Sequence, residues 1–179
     1  MTECAVHTVE ELSPIAFPLV NRFFKENGHK GKASGEERVW VARCLKGNII
    51  AGLRASPKSN GYLLRSVQVA SHAQRKGIGS FFLSEVLKDL NAVNCWCYPY
   101  VHLTLFYQRA GFFSPEPTSV PSDILAPYLR YRQQGHTFLL MARCPKRPEI
   151  SSSRSNRCYS INMQSRPAIN QHTPAFYQS

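Results

Sequence analysis

The chain has 179 residues, 43% of them apolar, and carries 22 Lys/Arg against 11 Asp/Glu for a net charge of +11. That length and apolar content supply one good core, and no apolar run approaches the eighteen or so residues that would cross a bilayer, so neither a membrane protein nor a disordered chain is expected. The basic excess is spread out (17 basic and 10 acidic residues in 1–143, 5 and 1 in 144–179), with no basic run or aromatic-laced basic helix, which argues against nucleic acid as the partner and leaves a small polyanion as the better match.

In chain order, Met1 to Val6 lacks the basic-then-apolar pattern of a signal peptide, so a cytoplasmic location is expected. Cys4 to Val9 alternates weakly and predicts a strand that Glu10 and Glu11 end. Ser13-Pro14 offers a cap and a first-turn proline, and Val20, Phe23, Phe24 and the exit at Asn27-Gly28 complete a helical pattern, which Pro18 allows to start later. Gly28 to Glu37 is polar, with His29, Lys30 and Lys32, and reads as a loop or a poor helix. Val39–Cys44 and Ile49–Ala55 are β-rich runs joined by Leu45-Lys46-Gly47-Asn48, a hairpin connection, and Pro57–Gly61 turns the chain into a third strand, Tyr62–Val69. Simple alternation there puts Tyr62, Leu64, Ser66 and Gln68 on one face and Leu63, Arg65, Val67 and Val69 on the other.

The segment after that strand carries the chemistry. Ala70-Ser71-His72-Ala73-Gln74-Arg75-Lys76-Gly77-Ile78-Gly79-Ser80 leads into Phe82/Leu83, Val86/Leu87, Leu90 and Val93 at helical spacing, so the arrangement is strand, glycine loop, helix. The first N–H groups of a helix have no internal partner and sit at the positive end of its dipole, where phosphate oxygens bind well. Gly77 and Gly79 let the backbone approach an anion closely, and Arg75 and Lys76 add two cations. A phosphate-bearing cofactor is the expected guest. A nucleoside-triphosphate loop needs a lysine and a Ser or Thr after its last glycine, and a dinucleotide loop needs a third glycine and a later acid; neither pattern is here.

Asn94 to Val101 predicts a short strand that Pro99 interrupts, and Leu103 to Ala110 a helix closed by Gly111-Phe112, with glycine suited to a left-handed helix end. Ser114 to Ser122 is a proline-bearing loop, Asp123 caps a helix over Ile124–Gln133, and His136 to Cys144 predicts a buried strand. The division expected is a domain over 1–144 and a basic, polar tail over 145–179 that is disordered or docked on a partner, because it holds too few large apolar groups to offset ordering. With no export signal, the six cysteines are expected to be reduced. Cys95-Trp96-Cys97 lacks a second pair at zinc spacing, so no metal is expected.

The loop pattern Gln74-x-x-Gly77-x-Gly79 after an apolar strand, followed about thirty residues on by Leu105-Phe106-Tyr107-Gln108-Arg109-Ala110-Gly111-Phe112, resembles the two signatures of the GNAT superfamily of N-acetyltransferases. The resemblance implies an α+β fold, a mixed, mostly antiparallel sheet with helices on both faces. It implies acetyl-CoA as co-substrate, its diphosphate held by Gln74, Arg75, Lys76, Gly77, Ile78, Gly79 and Ser80, and its pantetheine arm paired with the backbone at Val67 and Val69. Tyr107 takes the place of the tyrosine proposed as acid for the leaving thiolate. The activity implied is direct transfer of acetyl to a small-molecule or peptide amine in a ternary complex; the alternative is a GNAT-like module that binds CoA or an acidic partner without catalysis. The loop over 28–37 then flanks the acceptor. Tyr100 stands where the family often has an asparagine, and a helix is expected at 124–133 where the family more often has a strand. No motif places a general base among Glu36, Glu37, Glu85 and His102, and the sequence is compatible with a homodimer.

Overall fold

The computed structural model describes residues 5–145; the polar segment expected beyond the domain lies outside the described residues. The described residues form one mixed sheet of six strands that lie in sequence order: β1 (Val6–Glu11), β2 (Arg38–Cys44), β3 (Ile49–Lys58), β4 (Gly61–Val69), β5 (Cys95–Cys97) and β6 (Met141–Arg143). All neighbours are antiparallel except β4 and β5. That parallel pair needs a crossover, and the helix after the glycine loop, α2 (Ile78–Asp89), supplies it.

Helices cover both faces. The first, α1 (Phe17–Glu26), buries Phe17, Val20, Phe23 and Phe24 from one stripe, and Gly52 of β3 is small enough to let Phe24 and Val20 lie against the sheet. Pro18 falls in its first turn, preceded by a 3-10 turn at Pro14–Ala16. On the opposite face, Trp40 donates from Nε1 to Asp89 at 2.9 Å and so fixes α2 to β2. The short helix α3 (Thr104–Arg109) shares the α2 face, with Phe106 approaching Gly79. The fourth, α4 (Ser122–Gln133), shares the α1 face, where Ile124 packs with Leu63, Trp96, Val120 and Ala142. Burying such side chains contributes about 1.5–3 kcal/mol each, which is what selects these faces.

Several expectations are corrected by tertiary partners. Glu10 and Glu11 do not end β1; they extend it, because they reach Arg43 (2.6 Å) and Arg38 (2.7 Å) of the neighbouring strand. Asp123 does not cap α4. Its carboxylate instead accepts from the Ser59 N–H (2.9 Å) and hydroxyl (2.8 Å) in the β3–β4 turn; burial acts to raise its pKa, and these bonds oppose that and help hold it below the ordinary value. The strand expected over 136–144 is regular only at Met141–Arg143, with single bridges from Phe138 to Tyr100 and from Ala142 to Phe113.

Cys144 is disulfide-bonded, contrary to the expectation of reduced thiols, whereas Cys95 and Cys97 are free and buried on the α2/α3 face. Burial pushes the Cys95 thiol up to about 11 and that of Cys97 up as well. Both should therefore stay unlabelled by a thiol reagent at about pH 8 until urea unfolds the chain; rapid labelling of either in the native protein, read by mass spectrometry, would contradict this packing.

Candidate functional site

The site begins with a kink in β4. Gly52 pairs with Gln68 and Arg54 with Arg65, so Ser66 and Val67 together oppose Leu53. This is a bulge, one residue too many on the strand, and Ser66 achieves it by taking φ +55°. A non-glycine residue there costs about 1–2 kcal/mol, so something must hold it. Arg54 does. Its Nε and Nη2 donate to Ser66 Oγ at 3.1 and 2.9 Å. The bulge also reverses the alternation expected for the strand. Leu63 and Arg65 face α1 and α4, but Val69 faces α2, where it lies against Gly79.

The kink splits the sheet. β4 and β5 pair only at Tyr62–Leu64 with Cys95–Cys97, and beyond them the two strands diverge around an open edge. Ala70 donates its N–H to Ile50 of β3 at 2.9 Å, so the preceding residue, Val69, turns its N–H and C=O away from β3 toward that opening. The Val69 carbonyl accepts from Gln74 Nε2 at 3.0 Å.

At the mouth lies the glycine loop. After a 3-10 turn at Ser71–Ala73, Arg75 (φ +61°) and Gly77 (φ +77°) both take the left-handed conformation. The first bond of α2 is Phe81 N–H to Gly77 O at 3.0 Å. None of the amides of Arg75, Lys76, Gly77, Ile78, Gly79 and Ser80 has a backbone acceptor among the described residues. The side chains of Arg75 and Lys76 are exposed and in no ion pair among the described residues. A Cβ on Gly77 would meet nothing within 4 Å, so that glycine is required by its φ alone. Ile78 buries its side chain in the core, leaving its amide as the group it offers. A diphosphate fits this donor set: consecutive unpaired N–H groups, two cations and a helix start.

Tyr107 lies near Cys97, the last residue of β5 that pairs with β4. It is 6% exposed, its ring edge-on to Phe106 (5.0 Å) and Phe112 (5.5 Å). Burial pushes the phenol well above its ordinary value, and nearby Cys97 adds to this. Gly111 takes φ +88° at the end of α3, and Phe112 donates its N–H to Tyr107 O at 3.1 Å as it folds onto the core. Phe106 flanks Gly79 and so closes the cradle from the α3 side.

On the opposite side of the opening, the loop over 28–37 is tied down by Arg54. The guanidinium donates from Nη1 to the Lys32 carbonyl and to Glu37 Oε2 at 3.2 Å. Glu37 also accepts from Ser56 Oγ (2.5 Å) and Ser34 N (3.1 Å). His29 accepts from the Gly31 N–H at Nδ1 (2.9 Å), and burial together with Arg54 holds its pKa below the usual histidine range, so it is neutral at about pH 7 with its proton on Nε2. Sequence reasoning missed this network. Its one signal was Arg54 within the apolar run Ile49–Ala55. Of the base candidates, Glu37 is bound to Arg54, Glu85 reaches Lys88 at 2.5 Å along α2, His102 stacks on Tyr100 at 5.8 Å, and Glu36 is exposed on the loop. Among the described residues no group of three His, Cys, Asp or Glu could hold a metal, and no helix is long and apolar enough to cross a membrane. A hollow of about 320 Å³ between α4 and the 114–117 loop shares no residue with the glycine loop.

A split mixed sheet with an amide cradle at its mouth defines an α+β domain with a candidate anion site. Residues 35–113 match the family model of the acetyltransferase (GNAT) domain. Three solved structures illustrate the fold. N-acetylglutamate synthase from Neisseria gonorrhoeae, complexed with coenzyme A and L-arginine, aligns with TM-score 0.58 at 11% identity over 80% of this chain and 34% of that one. Tetrahymena GCN5 aligns with 0.57 at 12% over 78% and 96%. The GNAT family N-acetyltransferase YhbS from Escherichia coli, in complex with CoA, aligns with 0.54 at 15% over 80% and 84%. The chain thus spans about a third of the length of the Neisseria synthase, and at these identities the likeness is one of fold. No curated protein sequence matches. Residues 35–113 are thus similar to the GNAT acetyltransferase domain, and the chain shares the fold of these structures.

Proposed function

We propose that this protein moves an acetyl group from acetyl-CoA to an amine by direct attack within a ternary complex. The observation that carries the reading is the row of amides from Arg75 to Ser80, which find no acceptor among the described residues, at the mouth of the split sheet. Acetyl-CoA supplies an acyl group already activated as a thioester. The chain's own part is positional and electrostatic: loop amides, with Arg75 and Lys76, hold the diphosphate, and the open edge at Val67 and Val69 aligns the arm. The Val69 N–H faces the opening and is a fixed donor for a carbonyl laid along it.

Tyr107 then serves as donor to the departing sulfur. Its elevated pKa keeps the phenol protonated through neutral and mildly alkaline pH, and its proximity to Cys97, the last residue of the β4–β5 pairing, supports a role at the inner end of the crevice. Tyr107→Phe removes the hydroxyl and keeps the ring packing, so kcat should fall about 10²-fold while CoA affinity, measured by calorimetry, holds. Unchanged kcat would remove Tyr107 from the mechanism. The wider test is calorimetric CoA binding followed by an amine screen that reads free thiol. CoA binding with no transfer to any amine would identify a binding module instead of an enzyme.

A further inference from the structure

We propose that Arg65 reads an anionic group on the acceptor, so that the reacting amine belongs to a molecule with a carboxylate close by; this rests on the acetyl-transfer reading above. The diphosphate lies at residues 75–80, so an arm laid along the open edge runs from Val69 back toward Ser66. Its reacting end arrives at the kink, and Arg65 is the next residue. Arg65 projects on the α1/α4 face, whereas the glycine loop leads into α2 on the other. Donor and acceptor therefore meet through the split.

Charge separates Arg65 from its neighbour. Arg54, its register partner on β3, is neutralised by Glu37. Arg65 is exposed and has no hydrogen bond or ion pair among the described residues. It lies near enough to His29, Arg54 and Tyr98 to perturb their titration. The carboxylates around it are engaged, Glu37 by Arg54 and Asp123 by Ser59. The surroundings are thus an uncompensated cation flanked by the His29 loop and by Tyr98, whose hydroxyl is bound to the Ile124 carbonyl at 2.6 Å and whose ring neighbours Tyr131 at 6.1 Å.

A guanidinium fork matches a carboxylate, and an unopposed positive charge repels polyamines. The same charge favours the unprotonated form of a nearby amine, the form that attacks.

The test compares acceptors that differ only in the carboxylate, phenylalanine against 2-phenylethylamine and glutamate against 4-aminobutyrate, beside spermidine and a peptide with an N-terminal Asp. Wild type should prefer the α-carboxylate or Asp-bearing acceptors by about tenfold or more in kcat/KM, through KM. The free acids and the peptide distinguish a small-molecule source from a chain terminus. Arg65→Ala should erase the preference and Arg65→Lys keep part of it, with CoA affinity held. In the CoA-loaded protein, N-acetylphenylalanine should bind more tightly than N-acetyl-2-phenylethylamine only while Arg65 is present. A preference for spermidine or the decarboxylated amines, equal losses on both members of a pair, or intact CoA binding with no transfer to any of them would overturn the proposal. Failure to bind CoA at all would instead overturn the acetyl-transfer reading on which it stands.

Discussion

Arg54→Met is expected to lower the free energy of unfolding by about 3–5 kcal/mol, a large share of the roughly 5–15 kcal/mol typical of a domain. The side chain is 5% exposed and that of Glu37 6%. Removing the guanidinium leaves a buried carboxylate without its cation, frees the Lys32 carbonyl, and strips Ser66 Oγ of both donors that hold the kink. Once Ser66 relaxes from φ +55°, β4 can flatten and zip further along β5, so CoA affinity should fall with stability. Urea denaturation reads the first effect and calorimetry the second. The double variant Arg54→Met/Glu37→Leu should recover part of the stability, because no charge is then stranded, but not the affinity, because the kink still lacks its support. A loss below about 1 kcal/mol for the single variant would mean that the network is solvated and not structural.

Gly77→Val is expected to weaken CoA binding by about tenfold to a hundredfold. Valine is rarely found at φ +77°, so the loop must leave the left-handed region and turn the amides of 78–80 from their common direction. Gly77→Ala should fall between, since a Cβ there meets no neighbour and only the conformational strain remains. Pantetheine, which lacks the diphosphate, should bind wild type and variant alike. If calorimetry instead showed equal CoA affinity for the wild type and the Gly77→Val variant, the loop would be a turn and not a cradle.

The parts of this molecule that could be read from sequence are those decided locally. The loop over 74–80 and the turn at Gly111-Phe112 need particular backbone angles that glycine announces, and α1 and α2 declare themselves by an apolar stripe. The parts that could not are those decided by contacts distant in sequence. Ser66 is no glycine, and its left-handed angle exists because Arg54, twelve residues earlier, supplies two bonds to its hydroxyl. Simple alternation therefore places Val69 with Arg65, when the bulge puts them on opposite faces. Asp123 has the spacing of a cap but finds Ser59, and Glu10 and Glu11 read as a strand end until Arg43 and Arg38 are seen beside them. In the candidate site, the glycine loop was legible and the network across the sheet was not, because Arg54, Glu37, Ser66 and Arg65 form no motif until the sheet brings them together.

The claim on which the rest depends is that main-chain donors at the head of α2, with the open edge of β4, receive CoA. The direct measurement is an amide ¹H–¹⁵N NMR titration of the protein with CoA. The account predicts that the largest shifts fall at Val67 to Val69 and Arg75 to Ser80, with β1 and α4 unmoved. Saturable binding that leaves those amides in place while shifting others would contradict it.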